Sequence, residues 1–212
     1  MKTILCYGDS ITWGYIPGNA GRYPREARWP SVMQNVLGSG YEIIAEGLSG
    51  RYTVHDEPYR PGRNGAALLQ PILESHSPVD LLIIFLGTND VLHYPAVTSA
   101  DAARGIEILI KVAQASETGP NDTPPKILII SPPLIGILSA ELQQLCHGDP
   151  AHSAKFAEFF QKVAERCGVY FLNGAGVCAP SPIDGVHLDE AEHRRLGQAV
   201  GKVVIQIFEN ET

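Results

Sequence analysis

Ser10, Asp184 and His187 are the three side chains whose types suit acyl transfer, and glycines place each of them in a turn. Ser10 follows the apolar run Ile4 to Tyr7 and the pair Gly8-Asp9, so it stands just past the C-terminal end of a buried strand. In an open α/β sheet that edge is where ligands bind. A serine hydroxyl is a poor nucleophile until a base takes its proton, and histidine is the side chain whose ordinary pKa makes it a usable base near neutrality. His187 would need one ring nitrogen facing Ser10 and the other proton held by an acceptor. Asp184, three residues earlier on a glycine-containing turn, can supply that acceptor and stabilise the imidazolium that forms. The tetrahedral intermediate then puts negative charge on the former carbonyl oxygen. Its candidate donors are the backbone N–H of Ser10, the backbone N–H of Gly50 and the side-chain amide of Asn89, each worth about 2.7 to 4 kcal/mol of transition-state stabilisation. Gly50 suits that role because no side chain blocks close approach of its N–H.

Each motif taken alone has a plainer reading. Gly8-Asp9-Ser10 can cap the next helix or close a turn, Asp184 to His187 can be a turn feeding a helix, and Asn89 can be a turn residue. Asp9 and Asp90 are expected to be structural acceptors for backbone N–H groups around their turns. His147 and His152, five apart in a polar stretch, accompany no cysteine or carboxylate cluster of metal-site type, so no metal is expected there.

The elements that must position these residues follow from periodicity. Apolar runs at Ile4 to Tyr7, Tyr41 to Ala45, Leu81 to Leu86, Lys126 to Ile130 and Tyr170 to Leu172 read as strands, each closed by glycine, proline or polar turn residues. Between them lie helical patterns. One opens at Trp29-Pro30-Ser31 with Val32, Val36 and Leu37 at helical spacing, and a second is capped by Asn64. A third begins at Ser99 and Asp101; a fourth carries Phe156, Phe159, Phe160, Val163 and Cys167, an aromatic stripe assigned to core packing. The last presents Leu196, Ala199, Val200, Val203, Val204 and Ile207. Residues 15 to 29 and 52 to 63, the latter with Arg60, Pro61 and Arg63, read as loops. Residues 134 to 150 fit either a mobile wall over the site or a plain helix with a loop. Alternating strands and helices with short connections predict an α/β fold, a doubly wound parallel sheet of flavodoxin-like strand order 2-1-3-4-5. That edge gathers Ser10, Gly50, Asn89, Asp184 and His187.

With 212 residues, 44% apolar and 18% charged, the chain is expected to form a single domain over 1–212. Net charge is −7 and no block of lysine and arginine occurs, which argues against nucleic acid as a partner. The apolar run near Met1 is too short for a signal-peptide core, and none approaches the roughly 20 residues of a membrane helix. A cytoplasmic protein with no membrane insertion is expected. Cys6, Cys146, Cys167 and Cys178 form no CxxC pair and are read as free thiols, with Cys6 and Cys167 in the core.

Gly8-Asp9-Ser10 with Gly14, Ser49-Gly50, Gly87-Thr88-Asn89-Asp90 and Asp184-Gly185-Val186-His187, in this order and spacing, resemble the blocks of the SGNH (GDSL) hydrolases. The strings Ile4 to Gly14, Glu46-Gly47-Leu48-Ser49 and Ser131-Pro132-Pro133 are similar to its bacterial arylesterase and acyltransferase branch. The resemblance runs from about Thr3 to Val204. It implies Ser10 as nucleophile, His187 as base, Asp184 as its orienter, and oxyanion donors at Ser10, Gly50 and Asn89. It also implies small acetyl-type or aryl ester substrates and a homo-oligomer, and no Gly-x-Ser-x-Gly elbow brackets Ser10.

The reading is a cofactor-free serine esterase, with Trp13, Leu48, Leu92, Leu134 and Val186 as candidates for lining the substrate pocket. A carbohydrate deacetylase, or a thioesterase and lysophospholipase, would use the same site. A non-enzymatic flavodoxin-like module holding an anion would want GxGxxG or GxxxxGK[ST] at a strand-helix junction, and neither is present.

Overall fold

Strands covered on both faces need apolar residues at every position, not at every second one. Ile4 to Tyr7, Leu81 to Phe85 and Ile127 to Ile130 meet that need, all at most 3% exposed. The computed structural model describes residues 1–209 and pairs these runs in one parallel sheet. Its strands are β1 (Lys2–Gly8), β2 (Tyr41–Gly47), β3 (Leu81–Phe85), β4 (Lys126–Ser131) and β5 (Tyr170–Asn173), in the order β2-β1-β3-β4-β5. Fold class and strand order are as the sequence predicts; the strands mostly run one or two residues further than the apolar runs.

Side chains alternate across the sheet and divide the core in two. Leu5, Tyr7, Leu82, Ile84, Ile127 and Ile129 face one side, where α3 (Gly65–Ser75), α5 (Ser99–Gln114) and α7 (Phe156–Cys167) pack. Ile4, Cys6, Leu81, Ile83, Leu128 and Ile130 face the other, against α2 (Trp29–Leu37) and α8 (Glu190–Glu209). Three shorter helices, α1 (Ser10–Trp13), α4 (Thr88–His93) and α6 (Ala140–Leu145), lie near the C-terminal ends of the strands. Among the described residues no helix is long and apolar enough to cross a membrane.

Asn64 does cap α3, its side chain accepting from Ala67 N. α5 begins at Ser99, as the sequence suggests, and the residue before it is the cap: Thr98 Oγ1 accepts from Asp101 N while Asp101 Oδ2 accepts from Thr98 N, a capping box. In α2 the core face is Trp29, Pro30 and Met33. Val32 and Val36, at helical spacing beside that face, sit against Gly197 and Gly201 of α8, where an added Cβ would approach them within 3 Å. Cys6 is in the core, but Cys167 is only half-buried, and Cys146 and Cys178 are the other buried thiols. Residues 134 to 150 match the second of their two readings, a helix with a loop: an irregular stretch leads into α6.

β2 is an edge strand, and its outer side is not bare. The Gln34 amide reaches over from α2, donating to Tyr41 O at 3.0 Å and accepting from Ile43 N at 3.2 Å.

Candidate active site

Three strand ends and the loop before α8 converge on one cleft of about 720 Å³, whose wall includes Ser10, Gly50, Asn89 and His187. β1 stops at Gly8, and Asp9 caps α1 by accepting from Ile11 N at 2.9 Å, which makes Ser10 the first residue of that helix. Asp184 closes its own turn in the same manner: Oδ1 accepts from Val186 N and His187 N, both at 2.9 Å. Gly185 between them has φ +78°, a conformation that disfavours any residue with a Cβ.

The turn leaves Asp184 Oδ2 2.7 Å from His187 Nδ1, and His187 Nε2 3.0 Å from Ser10 Oγ. Burial opposes charge on Asp184, but the hydrogen bond and charge of His187 and the two backbone N–H groups outweigh it and hold the carboxyl below its ordinary pKa. An ionised Asp184 can only accept, so Nδ1 carries the hydrogen and Nε2 is left to accept from the Ser10 hydroxyl. The Tyr15 ring stacks on His187 with centroids 4.2 Å apart. The histidine is therefore held on one face and at one nitrogen.

Gly50 follows β2 in a turn closed by Arg51 N donating to Leu48 O. Asn89 lies in α4, donating from Nδ2 to Arg51 O at 3.1 Å and only loosely to Asp9 Oδ2 at 3.4 Å. Such a long contact leaves that second N–H free to turn toward a stronger acceptor. Neither the Ser10 N–H nor the Gly50 N–H has a protein partner among the described residues. The three donors and the Ser10 hydroxyl thus share one cleft.

Arg51 joins the two turns. Its guanidinium is buried, stacks over the Tyr7 ring and donates from Nη1 to Gly8 O and Glu46 O. Asp90 accepts not from its own turn but from Thr53 N, Thr53 Oγ1 and His55 Nδ1, pinning the loop after β2.

The five pocket candidates do not line this cleft. Leu92 and Val186 pack with Cys146 in a separate apolar cluster. The Trp13 ring lies under the Arg22 guanidinium at 4.7 Å, Leu48 serves the Gly50 turn through its backbone, and Leu134 is largely exposed. The wall is built instead by Tyr15, Tyr52, Arg60, His93, Tyr94 and Leu145, contributed mostly by loops. The signal that could have found them is their density of aromatic and cationic types in segments that no helix or strand claims. His147 lines the cleft, but among the described residues no group of three potential metal ligands occurs.

Two buried groups near His187 titrate in opposite senses. Burial pushes Asp9 from 3.8 up to about 6, against its Ile11 hydrogen bond and the His187 and Arg51 charges. Burial, with the His187 and Arg28 charges, pushes His193 from 6.5 down to about 4; neither of its ring nitrogens has a partner among the described residues. Asp9 has a folded pKa above its unfolded one, so its contribution to stability is full below about pH 4 and is lost as pH rises through 6. His193 has a folded pKa below its unfolded one, so its contribution is present above pH 6.5 and is lost as pH falls toward 4. Each is worth about 3 kcal/mol across nearly the same window, and the two cancel. Asp9→Asn removes one half, so the variant is expected to lose about 3 kcal/mol on acidification from pH 6.5 to 4 relative to the wild type. Urea unfolding at the two pH values measures this, and parallel pH curves for variant and wild type would contradict it.

A model of the GDSL-like lipase/acylhydrolase family matches residues 6–195. The native aryl esterase of M. smegmatis superposes with a TM-score of 0.91 at 36% identity, covering 97% of this chain and 99% of that one. Est24, a carbohydrate acetylesterase from Sinorhizobium meliloti, gives 0.92 at 34% identity over 98% and 100%. A further carbohydrate acetylesterase family member from the same organism gives 0.90 at 40% identity over 96% and 97%. No curated protein matches.

Proposed function

The chain belongs to the GDSL-like lipase/acylhydrolase family and is a serine ester hydrolase, and from that premise we propose that Ser10, His187 and Asp184 are its catalytic triad, acting on short-chain carboxylic esters. One observation carries this reading: the unbroken relay Asp184 Oδ2, His187 Nδ1, His187 Nε2, Ser10 Oγ, with contacts of 2.7 and 3.0 Å. His187 takes the Ser10 proton as Oγ attacks the ester carbonyl, and Asp184 stabilises the imidazolium. The N–H groups of Ser10 and Gly50 and the Asn89 amide hold the oxyanion. His187 then protonates the leaving alcohol, giving an acyl-Ser10 ester and a free alcohol. Water activated by His187 releases the acid and restores the hydroxyl. Another alcohol in place of that water gives acyl transfer from the same intermediate. All of residues 1–212 are read as one catalytic domain, of which 210–212 lie outside the described residues.

A small acyl group is supported by relatives named for acetyl and aryl esters. Those names leave an aryl or a sugar alcohol as the second half of the substrate. An organophosphonate probe tests the mechanism. A single adduct on Ser10 by peptide mass spectrometry, rising in step with loss of p-nitrophenyl acetate turnover, is the expected result. Full labelling elsewhere, or turnover that survives labelling of Ser10, overturns it.

A further inference from the structure

The loop between β2 and α3 brings a cation into the cleft. Arg60 lines the same wall as Ser10, Gly50, Asn89 and His187. Its guanidinium rests on Gly50: a Cβ at that position would lie 2.7 Å from Nη2, 2.8 Å from Nη1 and 2.9 Å from Cζ. Any larger residue at 50 would displace it. A fixed positive charge is thus seated against the residue whose N–H is proposed to hold the oxyanion.

The loop that carries Arg60 is tied at both ends. Tyr52 N donates to Arg63 O at 2.9 Å, Arg63 Nε to Ser49 O at 3.1 Å, and Asn64 Nδ2 to Val54 O at 2.9 Å. The charge itself is poorly matched. Among the described residues Arg60 meets one carboxylate, Glu57, at 3.5 Å, longer than the usual charge-assisted bond. Glu57 Oε2 already accepts from the Tyr52 hydroxyl at 3.1 Å. The Arg60 side chain remains 45% exposed, and the His147 ring lines the same wall. In a chain of net charge −7, an arginine with its fork largely unused, aimed at no strong partner inside a concave site, is a binding group without its ligand.

We infer that Arg60 recognises a carboxylate carried by the ester substrate, so that the enzyme prefers esters with an acidic group near the scissile bond over neutral esters of the same size. This rests on the esterase reading above. The planar guanidinium fork matches a carboxylate in two parallel hydrogen bonds, and Glu57, held at long range, yields to a closer anion. The contact is made at the cleft surface, so salt weakens it.

Two ester pairs test the inference: 4-acetoxybenzoate against methyl 4-acetoxybenzoate, with the charge on the alcohol side, and mono-4-nitrophenyl glutarate against 4-nitrophenyl pentanoate, with the charge on the acyl side. The wild type is expected to favour the charged ester in at least one pair. Arg60→Gln should lower the charged-to-neutral ratio of kcat/KM about ten-fold, mainly through KM, since hydrogen bonds to charged groups contribute at that level. Arg60→Lys should keep part of the preference, and added salt should erode it in the wild type. Turnover of the neutral esters with no change of ratio in Arg60→Gln, in both pairs, overturns the role of Arg60 alone. Failure of the wild type to hydrolyse any of the four esters overturns the esterase reading and this inference together.

Discussion

Ser10→Ala is expected to lower kcat for p-nitrophenyl acetate by about 10⁴ to 10⁶-fold, with melting temperature close to wild type. Few contacts depend on the hydroxyl: Oγ meets His187 Nε2, and the turn is held by the Asp9 carboxylate and the backbone of α1. Alanine is the best helix former and fits the first position of α1 without strain. The residual rate measures what the backbone donors and Asn89 achieve without a nucleophile, because alanine keeps the N–H at position 10. Wild-type turnover in a folded Ser10→Ala protein would remove Ser10 from the mechanism.

Asp184→Asn is expected to cost about 10⁴-fold in kcat/KM with little loss of stability, which separates orientation from folding. Asp184 Oδ1 accepts from two buried backbone N–H groups, so an asparagine must keep its carbonyl oxygen there. Its NH₂ group then faces His187 Nδ1, and two donors cannot share a hydrogen bond. The ring takes the other tautomer, with its hydrogen on Nε2 pointing at Ser10, and can no longer accept the serine proton. Asp184→Ala should lose activity and, in addition, melt lower, because the Val186 and His187 N–H groups are left buried without a partner. Activity of Asp184→Asn within ten-fold of wild type would show that Asp184 does not set the state of His187.

Much of the scaffold was legible because burial on both faces leaves a simple mark. Leu81 to Phe85 is apolar at every position, and no exposed strand or surface helix reads that way. The convergence of Ser10, Gly50, Asn89 and His187 was legible for a related reason: turns after parallel strands must end at one edge, whatever their sequence separation. Side-chain direction was not. Trp13, Leu48, Leu92 and Val186 are neighbours of site residues along the chain, but successive residues in a turn or short helix point different ways, and their contacts lie outside the cleft. Tyr15, Arg60 and Tyr94 reach it from loops whose path no periodicity encodes. The cap of α5 was legible too, since Thr98 and Asp101, around the helix start at Ser99, have the spacing of a capping box. Arg51 was not: a guanidinium that ties Gly8 O to Glu46 O under Tyr7 contradicts the expectation that arginine is exposed.

Gln34 has a bearing beyond its own neighbourhood. An outermost strand offers unpaired amide and carbonyl groups that another polypeptide can adopt as a template, and polymerisation through such borders is a standing hazard for sheet proteins. The carboxamide of Gln34 presents a donor and an acceptor in the arrangement of a peptide unit, and it occupies Tyr41 O and Ile43 N as a sixth strand would. The ladder is terminated by one side chain from the same molecule, so concentration of the protein does not recruit a neighbour at these rungs.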